Sequence, residues 1–294
     1  MKNIITSILV LSTAILFSSG CKKKTDDTIT PTVEYNLVFK YHFDSTQIRL
    51  NNFGQPELIA AGHGAQSPHF NLMSSHYIEL AKDSLTLLGG GTVLYRAPET
   101  SVGGALAIDF SKSIVAGEGQ KFYSMPLKNI TAGTYKWLRI SLAYQNYTIN
   151  FRTSGYNLNG TLASFIGFNT YITSFSPRSQ NVALNSNRLQ GYWAFEIDTL
   201  GINQVYQGQA PGTTVPNPLS ATSPIPAGSC VVTGSFDQPL VITGNETKDI
   251  VINVSLSVNN SFEWKDAAGD NVFELPMDTV VDMGIRGVIP YVIY

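Results

Sequence analysis

Four histidines stand at positions 42, 63, 69 and 76, and they are the only histidines in 294 residues. Met73 lies among them. Imidazole nitrogen and thioether sulfur are both copper donors, above all in an oxidising compartment. Brought together by a fold, His42, His63, His69, His76 and Met73 would make a copper site. Their spacing matches no fixed metal pattern such as CxxC or HExxH, so convergence would have to come from the fold alone. The segment Ala61 to His69 (AGHGAQSPH) is also a loop by composition, where imidazoles are solvated or bonded to backbone, and both readings stand at this point.

A second chemistry is stacking. Aromatic residues are 11% of the chain, and Trp137, Trp193 and Trp264 are the flat rings best suited to lie against sugars. The alternative is that they fill the core and cross-strand pairs of β-sheets. Glu79, Glu99, Glu196 and Asp198 could supply a glycosidase carboxylate pair, but nothing in their spacing selects one. Asp266 to Asn271, flanked by Glu263 and Glu274, has the composition of a calcium loop without the alternating ligands of an EF-hand, and reads as a hairpin turn. There is no G-x-S-x-G, H-E-x-x-H, P-loop or dinucleotide-binding glycine cluster, so the chain is expected not to be an enzyme. A net charge of −2 leaves no electrostatic footprint for nucleic acid.

The N-terminus assigns these residues to a compartment. Lys2 precedes the apolar run Ile4 to Phe17, then Ser18-Ser19-Gly20-Cys21, which resembles the lipobox of bacterial lipoproteins. The resemblance implies a signal peptide over residues 1–20, lipidation of Cys21 and a membrane anchor of acyl chains, each buried CH₂ worth about 0.8 kcal/mol. Residues 21–34 are a polar tether with nothing to bury. Its basic residues followed by Asp26-Asp27 resemble the surface-export signal of lipoproteins in one group of Gram-negative bacteria; a merely solvating tether is the alternative. Asp-Ser/Thr triplets beginning at Asp27, Asp44, Asp83, Asp198 and Asp278 resemble the O-glycosylation sequon of the same group. The expected location is the outer membrane, lipid-anchored, on its periplasmic or its outer face. Cys230 is then an odd thiol, expected to be a buried apolar residue.

The elements that must position all this are strands. Only 14% of residues are charged, while 43% are hydrophobic, a balance that suits an all-β body and disfavours salt-bridged helices. Period-two alternation is clearest at Tyr35 to Phe43 and Ile250 to Val258. Further strands are expected at Thr92 to Arg96, Ala105 to Phe110, Tyr135 to Tyr144, Tyr147 to Arg152, Thr161 to Phe168, Gly191 to Ile197, Cys230 to Ser235, Leu240 to Thr243 and Gly287 to Tyr294. Ser74 to Leu88 admits a short helix or, at His76 to Leu80, a strand; Asp278 could cap a single helical turn. The whole predicts one antiparallel β-sandwich, Ig-like or jelly-roll-like, over residues 35–294, with long loops and a Pro-rich loop at 207–228.

Three segments carry a family likeness: Ala132 to Ile140 (AGTYKWLRI), Gln190 to Glu196 (QGYWAFE), and the alternating strand Asp249 to Val258. In that order they resemble the copper-binding lipoprotein family associated with methanobactin. The resemblance implies a β-sandwich and copper, with the four histidines and Trp193 as the residues to consider. The expected function is a non-catalytic envelope lipoprotein acting as a binding or accessory module for a glycan or a protein partner. The alternative is a copper-binding lipoprotein.

Overall fold

Alternation decides which side chains of β1 (Asn36–Asp44) face inward: Leu37, Phe39 and Tyr41 are fully buried, and their neighbours are half-exposed. This is a computed structural model, and it describes residues 34–294 apart from 52–53, 200, 211–224 and 227. The expected signal segment and nearly all of the expected tether, Cys21 included, lie outside the described residues, as does most of the Pro-rich stretch 207–228. Glu34 to Tyr294 cluster as one compact unit.

Strand β1 is central in a four-stranded sheet. It pairs antiparallel with β7 (Lys121–Pro126) and parallel with β15 (Ile250–Ser257), which pairs in turn with β19 (Val288–Ile293). A larger sheet of eight strands curls into a half-barrel. Its path runs β13 (Ile202–Gln209), β12 (Tyr192–Thr199), β9 (Tyr156–Phe165), β8 (Gly133–Thr153), β3 (His69–Ala81), β4 (Thr92–Arg96). Alongside β8 also pair β14 (Cys230–Ile242) and β17 (Glu274–Leu275). Two small sheets cover it. One holds β11 (Val182–Arg188), β10 (Thr170–Phe175), β6 (Ala107–Asp109) and β5 (Glu99–Thr100); the other holds β18 (Thr279–Met283), β16 (Phe262–Lys265) and β2 (His63–Gln66).

The curled sheet is apolar on both faces because it is covered on both. One face presents Tyr144, Phe165 and Tyr192 in register across β8, β9 and β12, packed with Ile172 and Phe175 of β10. The other presents Tyr147, Ile149, Phe151, Leu162 and Phe195 to the main core, which also takes Phe262, Trp264 and Met283. Side chains pointing to opposite faces at successive positions are what a strand imposes. An all-β sandwich-like fold is thus what the composition foretold, with additions. Among the described residues three strand pairs are parallel, β1 with β15, β6 with β10, and β8 with β17. The two strands expected at 135–152 are one strand of 21 residues. Ser74 to Ala81 is strand, not helix, and the turn expected after Asp278 is β18. Helix among the described residues is limited to two 3₁₀ turns, Phe110–Lys112 and Leu127–Asn129.

Candidate functional site

The four histidines fall on strands of three different sheets, and the structure does not bring them together. His42 on β1 pairs through Nδ1 with Glu118 at 2.7 Å. His63 on β2 pairs with Glu263 at 2.6 Å. His69, exposed at the start of β3, has Nδ1 3.3 Å from the Asn71 amide oxygen. His76, on the same strand, is 1% exposed, bonds Glu99 at 2.8 Å and stacks on Phe168 with 5.9 Å between ring centroids. Burial lowers its pKa, against the raising effect of Glu99, and favours the neutral ring. Met73 is fully buried core. No group of three or more His, Cys, Asp and Glu side chains among the described residues could hold a metal ion. The expected copper set is corrected accordingly. Closeness in sequence became distance in space because β1, β2 and β3 diverge into separate sheets. His69 and His76 sit roughly 20 Å apart along one extended strand.

The carboxylates are likewise consumed. Glu79, fully buried, accepts from the backbone N–H groups of Gly89 and Gly91 and from the Tyr77 hydroxyl. Glu196, also fully buried, accepts from the N–H groups of Arg178, Ser179 and Gln180 and from the Ser179 hydroxyl. Each pins a loop to the sheet. Asp266 does the same for its own loop, accepting from Gly269 and Asn271 N–H, and that loop joins β16 to β17, which do not pair with each other. Cys230 is half-buried, and burial, then the nearby Asp282, pushes its thiol up to about 12, so it is not a thiolate.

The tryptophans separate into three environments. Trp264 is fully buried, its ring against Gly64, where a Cβ would come within 2.6 Å of it. It cannot stack on a sugar, which corrects that assignment. Trp137 is half-buried and lines a groove of about 800 Å³ between Cys230–Asp237 and Asp282–Ile289. Trp193 is half-buried and opens onto a mainly apolar cleft of about 760 Å³.

This cleft is built by register. Antiparallel pairing aligns Tyr147, Leu162, Phe195 and Tyr206 in a row across β8, β9, β12 and β13. One step along, Ile149 pairs with Gly160 and Ile197 with Gln204. Leu162, Phe195 and Tyr206 of the first row and Ile149, Ile197 and Gln204 of the second line the floor. Two glycines shape it: a Cβ at Gly160 would run into the Phe195 ring, and one at Gly208 would meet the Trp193 ring at 2.5 Å. Both rings lie down over bare backbone for that reason. The opposite wall is Phe262, Phe273, Leu275, Pro276, Val280 and Met283. The floor is buried at Ile149, Phe151 and Phe195, while Ile202 (46% exposed) and Tyr206 (50%) on the edge strand meet solvent. The volume falls in the range of small-molecule sites, and an apolar lining with few polar groups is their usual character.

Beside it lies a charged pit of about 300 Å³. Glu263 accepts from Arg49, holds His63 through its other oxygen, and lies 3.5 Å from Arg286. Arg286 also bonds Asp282 at 2.6 Å, and Glu57 stands 3.8 Å from both arginines. Burial raises the Asp282 pKa and lowers that of Arg49. The pit is thus a mostly buried ion-pair network in which three carboxylates face two guanidiniums.

Of the sequence-predicted residues, the cleft retains Trp193 alone. Sequence reasoning missed Phe195, Leu162, Ile149, Tyr206 and the wall residues. Their apolar alternation was visible in part; the register that aligns them was not. No protein-family model matches the chain, and no curated protein and no solved structure matches it either.

Proposed function

We propose that this chain is a non-catalytic binding protein of the cell envelope, lipid-anchored through Cys21, whose folded body holds a small apolar ligand in the cleft under Trp193. The observation that carries the reading is the cleft itself: about 760 Å³ between the floor of the curled sheet and the β16 to β18 wall, lined mainly by apolar side chains. An open apolar cleft of that size leaves carbon surface in water, and a ligand seated in it would remove that surface from solvent. The engagement of Glu79 and Glu196 with backbone supports a role without catalysis. A glycan has little to bond on these walls, so the structure favours an apolar ligand over a sugar.

The test is titration of the protein with the apolar fluorophore N-phenyl-1-naphthylamine. A saturable rise in emission at one site per chain is expected, together with its loss in Leu158→Trp, which fills the cleft from a half-buried position. Emission that never saturates, or that survives Leu158→Trp unchanged, would sink the reading. For the anchor, Cys21→Ser should move the protein from the membrane fraction to the soluble one.

A further inference from the structure

We propose that the cleft takes an uncharged amphiphile, an apolar chain ending in a hydroxyl, and that Gln204 and Tyr206 bind this head group at the β13 rim. The inference rests on the cleft being the ligand site.

Charge comes first. Among the described residues that line the cleft, the one acidic side chain is Asp278, and no lysine, arginine or histidine joins it. Asp278 is 7% exposed, and its two oxygens already accept from the N–H groups of Ala267 and Glu274. An acid head group would find no cation here, and a cationic one would find a carboxylate already satisfied. Desolvating either without a partner is costly.

Hydrogen-bond polarity is the second observation. Gln204 and Tyr206 sit two apart on β13, on the same face, opposite Ile197 and Phe195 of the floor. The Tyr206 hydroxyl donates to the Gln204 amide oxygen at 2.7 Å. That bond fixes the rim: the Gln204 NH₂ remains to donate, and the Tyr206 oxygen remains to accept. An alcohol is both acceptor and donor, so it completes the pair. A carboxylate has no proton for the Tyr206 oxygen, and a quaternary ammonium neither accepts nor donates.

The third observation is direction. From Tyr206 the row runs inward through Phe195 and Leu162, from a half-exposed ring to side chains that are 7% and 5% exposed. A chain tethered by its head at the rim therefore lies along the floor, and each CH₂ added should tighten binding about fourfold until the floor is filled.

The experiment uses the mature chain, residues 21–294, carrying Cys21→Ser so that no acyl chain of its own is present. Decan-1-ol, decanoate and decyltrimethylammonium, which share one chain length, displace N-phenyl-1-naphthylamine in parallel titrations. Decan-1-ol is expected to bind about tenfold or more tighter than the two ions. Tyr206→Phe and Gln204→Leu, both at an exposed edge, should each weaken decan-1-ol roughly fivefold, and Tyr206→Phe should leave decanoate unchanged. Either ion binding as tightly as decan-1-ol, or decan-1-ol indifferent to both substitutions, would overturn the head-group assignment while the cleft remains a binding site. Failure of all three to displace the fluorophore would overturn the proposed function instead.

Discussion

At the scale of single residues, this protein spends its buried charges on holding backbone in place. Glu196 shows the competition plainly: burial raises its pKa, but the Ser179 hydroxyl and the N–H groups of Gln180, Arg178 and Ser179 outweigh burial, and the net shift is downward from 4.5. A carboxylate whose folded pKa lies below its unfolded one adds stability above the unfolded value and loses it as pH falls through the folded value. Chemical-denaturation midpoints between pH 6 and pH 2 should therefore fall less steeply below about pH 4.5 in Glu196→Gln than in the parent, while Glu196→Gln is the less stable of the two at neutral pH. Glu263 makes the opposite case, because it neutralises partners that are themselves buried. Glu263→Ala takes from Arg49, which is 6% exposed, its one close carboxylate, while Arg286 keeps Asp282, and should cost about 3 kcal/mol in a urea titration. A loss below about 1 kcal/mol would show that water reaches the arginines freely.

At the scale of elements, what matters is how neighbouring strands are aligned. Gly160→Val should drive the Phe195 ring off the β9 backbone and into the cleft, with a loss of about 1–3 kcal/mol and weaker binding of apolar probes. Thermal melting and probe titration on the same variant separate the two effects; unchanged probe affinity would mean the ring turns elsewhere. Legibility in the sequence followed the same logic. Strands covered on one side, such as β1 with Leu37, Phe39 and Tyr41, advertise themselves by alternation. Strand β3 is buried at every position from Met73 to Ala81, including Ser74, Ser75, His76 and Glu79, so its period-two signal is erased and a helix looks equally plausible. Strand β13 fails for the converse reason, since an exposed edge made of Asn, Gln and Gly resembles a loop. The cleft was illegible because it belongs to no segment. It exists only where four strands align, and Trp193 could be named from its own sequence but not placed.

At the scale of the whole molecule, a ligand that binds only the folded state stabilises all of it. Saturation at 100 times Kd should add about 2.7 kcal/mol, read as a rise in melting temperature that grows with the logarithm of ligand concentration. The rise should vanish in Leu158→Trp. The long strand β8 explains why a local event would be felt globally, since it pairs at different points with β3, β9, β14 and β17.

The position of β1 adds a constraint in time. The first strand of the folded body lies between β7 and β15, and Asn36 is bonded to a side chain 213 residues further along the chain. A polypeptide synthesised N-terminus first must hold this strand in waiting until Ile250 to Ser257 has followed it. Folding dominated by such late partners is slow, and the waiting strand is open to wrong ones. The order of emergence and the order of assembly are thus opposed in this topology, and a chain released before residue 250 has no parallel neighbour for β1.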